Sequence, residues 1–194
     1  MALPSSPSDE DLAEQLYQGD REALELLYQR YHHRLFNFIL RMTGDRAIAE
    51  ELLQETFLRL AESRRRYRRT ASFRTYLYTI ARNLCLDTLK SARWREHSLP
   101  GVGEARAAPP DRQPAARDVD PHAALEAREQ AEAVRLALLQ LPPADREVLI
   151  LSRYEGLRYE EIAKLLGTTT GAVKARAHRA LEALRRRLES FRKE

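Results

Sequence analysis

What this chain lacks narrows its function before any motif is read. Among 194 residues there is one cysteine, Cys85, so no internal disulfide can form and a reducing compartment is expected. Cys85 sits in a strongly helical stretch, where a lone thiol is most simply a small core residue. No apolar run approaches the ~20 residues that a membrane span requires. The opening MALPSSPSDED is polar and acidic, unlike a signal peptide, so the expected location is the cytoplasm, without membrane insertion. GxxxxGK[ST], HExxH, GxSxG and paired-cysteine motifs are all missing, which argues against an enzyme. His32, His33, His97 and His122 lie too far apart, or in linker-like sequence, to suggest a metal site, and no cofactor is expected. Strand-like alternation is absent throughout.

Lysine is scarce as well: Lys90, Lys164, Lys174 and Lys193 are the only four, and the remaining positive charge is arginine. Arginine's planar fork suits phosphates and base edges. A GC-rich genome or a hot habitat produces the same bias, and composition alone leaves these readings open. The placement of charge says more than its total, a net +4. Acids outnumber bases by about two to one from Asp9 to Phe57, whereas from Leu58 to Arg95 only Glu62 and Asp87 oppose a run of arginines. Bases dominate again after Ile162. Two basic patches separated by a linker imply two contacts with one polyanion.

Helical periodicity fills both ends of the chain. A first helix is expected over Asp9–Gln18, stopped by Gly19, and a second begins at the N-cap Asp20. Thr43-Gly44-Asp45 ends that helix and caps a third reaching about Arg65, and Ser72 caps a fourth reaching about Arg93. Between Trp94 and Asp120 the pattern collapses into Pro, Gly, Ala and Arg, the composition of a flexible linker. Helices resume near His122, break at Leu141-Pro142-Pro143, and continue over Asp145–Tyr154, Tyr159–Leu166 and about Thr170–Phe191. The expected fold is all-α: two small helical domains, 1–93 and 122–194, joined by a flexible linker over 94–121.

The C-terminal domain ends in YEEIAKLLGTTTGAVKARAHRALEALRRRL. Ile162, Leu165 and Leu166 form the apolar face of a short helix, Ala163 is small where a crossing helix must approach, and Gly167 suits the left-handed turn between them. This is the spacing of a helix-turn-helix. At about 100° per residue, the second helix sets Val173, Ala177, Ala180, Leu181, Leu184 and Leu188 on one stripe. The opposite arc carries Gly171, Ala175, His178 and Arg179, flanked by Lys174 and Arg176, and Thr170 at the helix start is a further candidate DNA contact. Small residues let such an arc sink into a major groove while the cations reach phosphates and guanine edges. A solvated basic face is the plainer reading for Arg185, Arg186 and Arg187.

In the N-terminal domain, SFRTYLYTIARNLCLDTLK has two faces. Phe73, Leu77, Ile80 and Leu84 point inward, and Thr75, Thr79, Arg82, Asn83, Leu86 and Lys90 occupy the opposite arc. Before it lies SRRRYRRTASF, where Arg68 and Arg69 track phosphate beside Tyr67. With Tyr76 and Tyr78 these are the ingredients of a single-strand platform, in which unstacked bases rest on rings. Core packing is the expected role of Phe73, and core or platform remains open for Tyr78. The third helix, AIAEELLQETFLRLAE, shows an acidic, amide-bearing face of Glu51, Gln54 and Glu55. If not simply solvated, that face repels phosphate and suits a basic protein surface.

The segment from Asp20 to Lys90, with EELLQETFLR and SFRTYLYTIARN, resembles region two of bacterial sigma factors. The segment from Leu141 to Leu188 is similar to their region four. Both blocks in this order, with a short linker, match the extracytoplasmic-function (ECF) group over roughly three quarters of the chain. The resemblance implies that Glu51, Gln54 and Glu55 dock on the clamp coiled coil of the largest subunit of core RNA polymerase. A second polymerase contact is implied at the flap region. It implies that Thr75 to Lys90 recognises and melts the minus-ten element, with Asn83 against a flipped-out base. It further implies that Thr170 to Arg187 reads the minus-thirty-five element, with Lys174, Ala175, His178 and Arg179 facing bases. Tyr76 stands where the family usually has tryptophan, Arg69-Thr70 where a Gly-acid pair is common, and Ala175 where serine is frequent.

The expected activity is therefore non-catalytic: binding core polymerase, carrying it to promoters and capturing the separated minus-ten strand. An anti-sigma factor is an expected partner beside polymerase and promoter DNA, both duplex and single-stranded. The alternative is a regulator that borrows the helix-turn-helix without replacing the sigma subunit. Such a regulator would carry an α/β phosphoacceptor domain with clustered aspartates, for which no strand pattern exists here.

Overall fold

The computed structural model describes residues 7–62, 72–91 and 121–191. They form α1 (Asp9–Gln18), α2 (Arg21–Thr43), α3 (Arg46–Glu62), α4 (Phe73–Lys90), α5 (Pro121–Leu139), α6 (Pro143–Leu149), a π-helical turn (Ile150–Tyr154), α7 (Tyr159–Leu166) and α8 (Thr170–Phe191). No strand occurs among the described residues, and no helix among them is long and apolar enough to cross a membrane. Residues 94–120 of the expected linker, 94–121, lie outside the described residues.

Local chemistry sets the helix ends. Ser8 and Asp11 form a reciprocal capping box, with Asp11 N donating to Ser8 Oγ at 3.1 Å and Ser8 N donating to Asp11 Oδ2 at 3.2 Å. Asp20 Oδ1 accepts from Glu22 N at 2.8 Å and Asp45 Oδ1 accepts from Ile48 N at 2.9 Å, so both aspartates start helices. Ser72 Oγ accepts from Thr75 N at 3.2 Å and starts α4. α2 stops at Gly44, whose φ of +77° is the left-handed conformation that glycine adopts without strain.

The N-terminal helices pack around Leu12, Leu27, Leu35, Phe38, Ile39 and Leu77, none of which has measurable exposure. Tyr78, open between core and platform on sequence grounds, is fully buried and meets Phe38 edge-on at 5.3 Å. α4 buries Ala81 and Cys85 in addition to Phe73, Leu77 and Leu84, while Ile80 is only half-buried. The helix therefore hides more than the single stripe expected of it. In the C-terminal domain, α8 lies against α5, α6 and α7.

The two domains are not held apart. α2 packs on α5, α6 and the π turn, and α4 packs on α7. One apolar cluster runs from Leu12 through Tyr78 to Val148, Leu157, Ile162 and Val173, and a smaller one joins Leu138, Leu141, Leu149 and Ala180. Gly44 is part of this contact: a Cβ there would lie 2.7 Å from Leu139 Cδ1. Arg146, 6% exposed, donates to the carbonyls of Leu138, Leu139 and Leu141 and, across the domains, to that of Met42. Burial holds its guanidinium down to about 10, still charged at neutral pH.

Candidate nucleic-acid interface

The helix-turn-helix forms because each joint has its chemistry. Gly167 turns at φ +63°, letting Thr168 N reach Ala163 O at 2.9 Å. Thr169 then caps α8, its Oγ1 accepting from Ala172 N at 3.2 Å. Val173, Ala177 and Ala180 are buried, so the opposite arc must face outward. Gly171, Lys174, Ala175, His178 and Arg179 are exposed, and Thr170 and Arg176 are half-buried at its margins. His178 Nδ1 lies 3.7 Å from Glu182 Oε2, one turn on. An exposed arc with small residues at its middle and cations at its sides has the shape and charge that a major groove accepts.

α4 presents a different picture. Asn83 and Lys90 are exposed, and Tyr76 and Thr79 are half-buried, with the Thr79 hydroxyl turned back to donate to Thr75 O at 2.7 Å. Tyr76 packs on the main core. Thr75, expected on the open arc, is 5% exposed. It sits at the crowded start of the helix, where α1 packs on α4, Glu10 accepts from Phe73 N at 3.2 Å, and Ser72 Oγ lies 2.9 Å from Thr75 Oγ1. Thr75 therefore secures the helix start and has no surface to offer a base.

Arg82 is positioned by the other domain. Its Nε donates to Glu147 Oε2 at 2.7 Å and Nη2 donates to Oε1 at 3.3 Å, while Nη1 donates to Asn83 Oδ1 at 3.3 Å. Two further acceptors come from the π turn's end: Tyr78 donates its phenol to the Glu155 carboxylate, and Arg74 donates to the Glu155 carbonyl. Burial and the neighbouring Glu155 charge push the Tyr78 phenol far above its usual range. Glu155 itself is raised by burial, against the lowering influence of Tyr78, Arg34, Arg41 and Arg74. Neither glutamate was signalled by the sequence pattern. Tyr67, Arg68 and Arg69 lie outside the described residues.

On α3, Glu51 and Gln54 are exposed, and Glu55 is half-exposed with its Oε1 accepting from Arg59 Nε at 2.8 Å. Leu58, one turn beyond Gln54, is 58% exposed and adds an apolar centre that the acidic pattern had concealed. A mixed acidic, amide and leucine surface suits a partner protein better than nucleic acid.

Known proteins match these pieces. The family model for Sigma-70 region 2 matches residues 27–95 and that for Sigma-70 region 4 matches residues 131–184. RNA polymerase sigma factor CarQ of Myxococcus xanthus is 38% identical over 178 residues, covering 89% of this chain and 92% of CarQ. ECF RNA polymerase sigma factor SigL of Mycobacterium tuberculosis is 35% identical over 171 residues, covering 87% of this chain and 90% of SigL. The sigma factor RpoE of Bartonella quintana, solved in complex with the anti-sigma factor NepR, shares the fold with a TM-score of 0.65 at 23% identity, covering 85% of this chain and 96% of RpoE.

Proposed function

The chain belongs to the ECF-type RNA polymerase sigma factors, promoter-specific transcription initiation factors that direct core polymerase to its start sites, and from that premise we propose a role for each surface. The exposed arc of α8 reads the duplex minus-thirty-five element through Lys174, Ala175, His178 and Arg179, with Thr170, Gly171 and Arg176 on the adjoining backbone. Thr79, Arg82, Asn83 and Lys90 of α4, with Tyr76 and the preceding Tyr67, Arg68 and Arg69, take the separated minus-ten strand. Glu51, Gln54 and Glu55 dock on the clamp coiled coil of polymerase, with Leu58 at the centre of that contact, and the flap region receives the C-terminal domain. Residues 1–93 and 122–194 act as the two promoter-gripping domains and 94–121 as the tether between them. Neither grip need be tight, because the tether and the polymerase keep both within reach. The action is non-catalytic and cytoplasmic.

The observation that carries this reading is the outward basic arc of α8 on a chain whose other domain shows an acidic face on α3 and a polar face on α4. An anti-sigma factor is the remaining partner we propose, by extension from the complex in which the Bartonella relative was solved. The test is reconstitution with core polymerase on a library of promoter sequences. Specific initiation is expected, with the chain alone binding duplex weakly and with a steep salt dependence. Tight binding of a defined duplex without polymerase, and no initiation with it, would favour the regulator reading. Gln54→Ala with Glu55→Ala should weaken polymerase binding roughly tenfold or more while leaving minus-thirty-five binding intact. Equal loss of both would reduce those residues to a folding role.

A further inference from the structure

Between Thr170 and Leu188, α8 carries one acid, Glu182, among Lys174, Arg176, Arg179 and Arg185 to Arg187. At 3.6 residues per turn it stands in line with Gly171, Ala175 and His178, so it belongs to the outward arc. It is exposed there, as His178 is. An acid on that arc weakens attraction to a polyanion, so its position calls for a reason. The ordinary partners of a helical glutamate lie three and four residues on, here Arg185 and Arg186. Among the described residues neither pairs with it. Glu182 turns the other way, and its Oε2 lies 3.7 Å from His178 Nδ1. Helical side chains lean toward the N-terminus, which carries the carboxylate back over the preceding turn to the imidazole. The pair stays open to a duplex, with side-chain exposures of 74% for His178 and 57% for Glu182.

We propose that Glu182 is a positioning residue for promoter specificity: it decides which nitrogen of His178 holds the proton, and so which base edge His178 reads. This rests on the assignment of α8 as the helix that reads the minus-thirty-five element. A separation of 3.7 Å is that of an ion pair and too long for a hydrogen bond, so the carboxylate acts by charge. It favours the proton on Nδ1, the nitrogen that faces it. A neutral imidazole has one donor and one acceptor nitrogen, so Nε2 is left as a bare acceptor. Such an atom suits the amino group of adenine N6 or cytosine N4. Once the ring is protonated, Nε2 donates and suits guanine N7 or O6. Val173, Ala177 and Ala180 take the inner side of α8, where α5, α6 and α7 pack. The charged groups on the side of His178 are therefore those of α8 itself: Lys174 and Arg179, like in sign to an imidazolium, and Glu182, opposite to it.

The test is selection of minus-thirty-five sequences from a promoter library by reconstituted holoenzyme, run at about pH 8 and about pH 6, on either side of an ordinary imidazole's titration. At one position the natural chain should prefer adenine or cytosine at the higher pH and move toward guanine at the lower, by about fivefold. Glu182→Gln keeps the shape of the side chain and removes its charge, so a merely structural role would survive in it. With the proton free to sit on either nitrogen, that variant should flatten the preference at the higher pH by about fivefold and shrink its pH dependence. The other positions of the element should be selected as before. An unchanged preference in Glu182→Gln at both pH values would overturn the proposal. A change in affinity spread evenly over all sequences would also overturn it, because Glu182 would then act as a bulk charge. Lys174→Ala with Arg179→Ala decides the premise separately: unaltered selection there would remove α8 as the reader. Altered selection there beside an indifferent Glu182→Gln would remove only the role of Glu182.

Discussion

α4 and α8 carry similar ingredients and meet opposite environments. Each has a buried stripe and a polar arc with arginines, but α8 turns its arc to water, while α4 has Arg82 engaged by Glu147 and Thr75 enclosed at its N-terminus. The difference follows from position in the packing. α8 is an outer helix with neighbours on one side, whereas α4 lies among α1, α2, α3 and α7. An outer helix offers a finished surface for a duplex, which needs no rearrangement to be read. A central helix is suited to a task that begins only after something has moved, as strand capture does.

The largest effect expected from this contrast concerns the enclosed side of α4. Burial pushes the Cys85 thiol up to about 12, so at pH 8 its reactive thiolate is scarcer by about a thousandfold than in an exposed cysteine. Thiol reagent should therefore leave the folded chain almost untouched and react rapidly once urea unfolds it; rapid labelling of native protein would show that α4 is not held as described. Next is Arg146→Ala, which strands several buried carbonyls that the guanidinium now satisfies. A loss of about 3 kcal/mol in urea denaturation is expected, and less than 1 kcal/mol would mean water replaces the guanidinium easily.

The contrast itself is tested by exchanging the damage. Lys174→Ala with Arg179→Ala should lower duplex affinity roughly tenfold or more, and Asn83→Ala should leave duplex affinity unchanged while impairing open-complex formation. Loss of duplex binding in the Asn83 variant would merge the two surfaces into one. The smallest effect belongs to Glu155, which faces Arg34 and Arg41 from α2 and Arg74 and Tyr78 from α4. Its carboxyl is raised in the folded chain, so its favourable contribution is fully present below the unfolded carboxylate range and is lost as pH rises through the raised value. Stability followed by calorimetry should therefore fall slightly from acid toward neutral pH at this site, and Glu155→Gln should remove that slope. A slope of opposite sign would mean that the neighbouring arginines outweigh burial.

Much of this was legible from residues. Asp20, Gly44, Ser72 and Gly167 mark helix ends because caps and left-handed turns are chemistry of neighbouring residues. The α8 arc was legible for the same reason: with Val173, Ala177 and Ala180 inward, 3.6-residue geometry leaves one direction for Lys174, His178 and Arg179. Periodicity misplaced Thr75, since a stripe describes a helix against a single neighbour and α4 has several. It also missed Leu58, which reads as core in any apolar count yet stands exposed beside Gln54.

What the sequence determined by itself was the all-helical fold, the caps that start or stop several helices, the helix-turn-helix with its basic arc, and the family to which two ordered blocks belong. What only the tertiary structure decided was the seam: that Glu147 faces Arg82, that Glu155 lies under Tyr78, and that Arg146 bridges to Met42. Caps and stripes depend on residues three or four apart, whose geometry the helix repeat supplies. The seam joins residues separated by 65 to 104 positions, and no local rule says which charge will meet which across that distance.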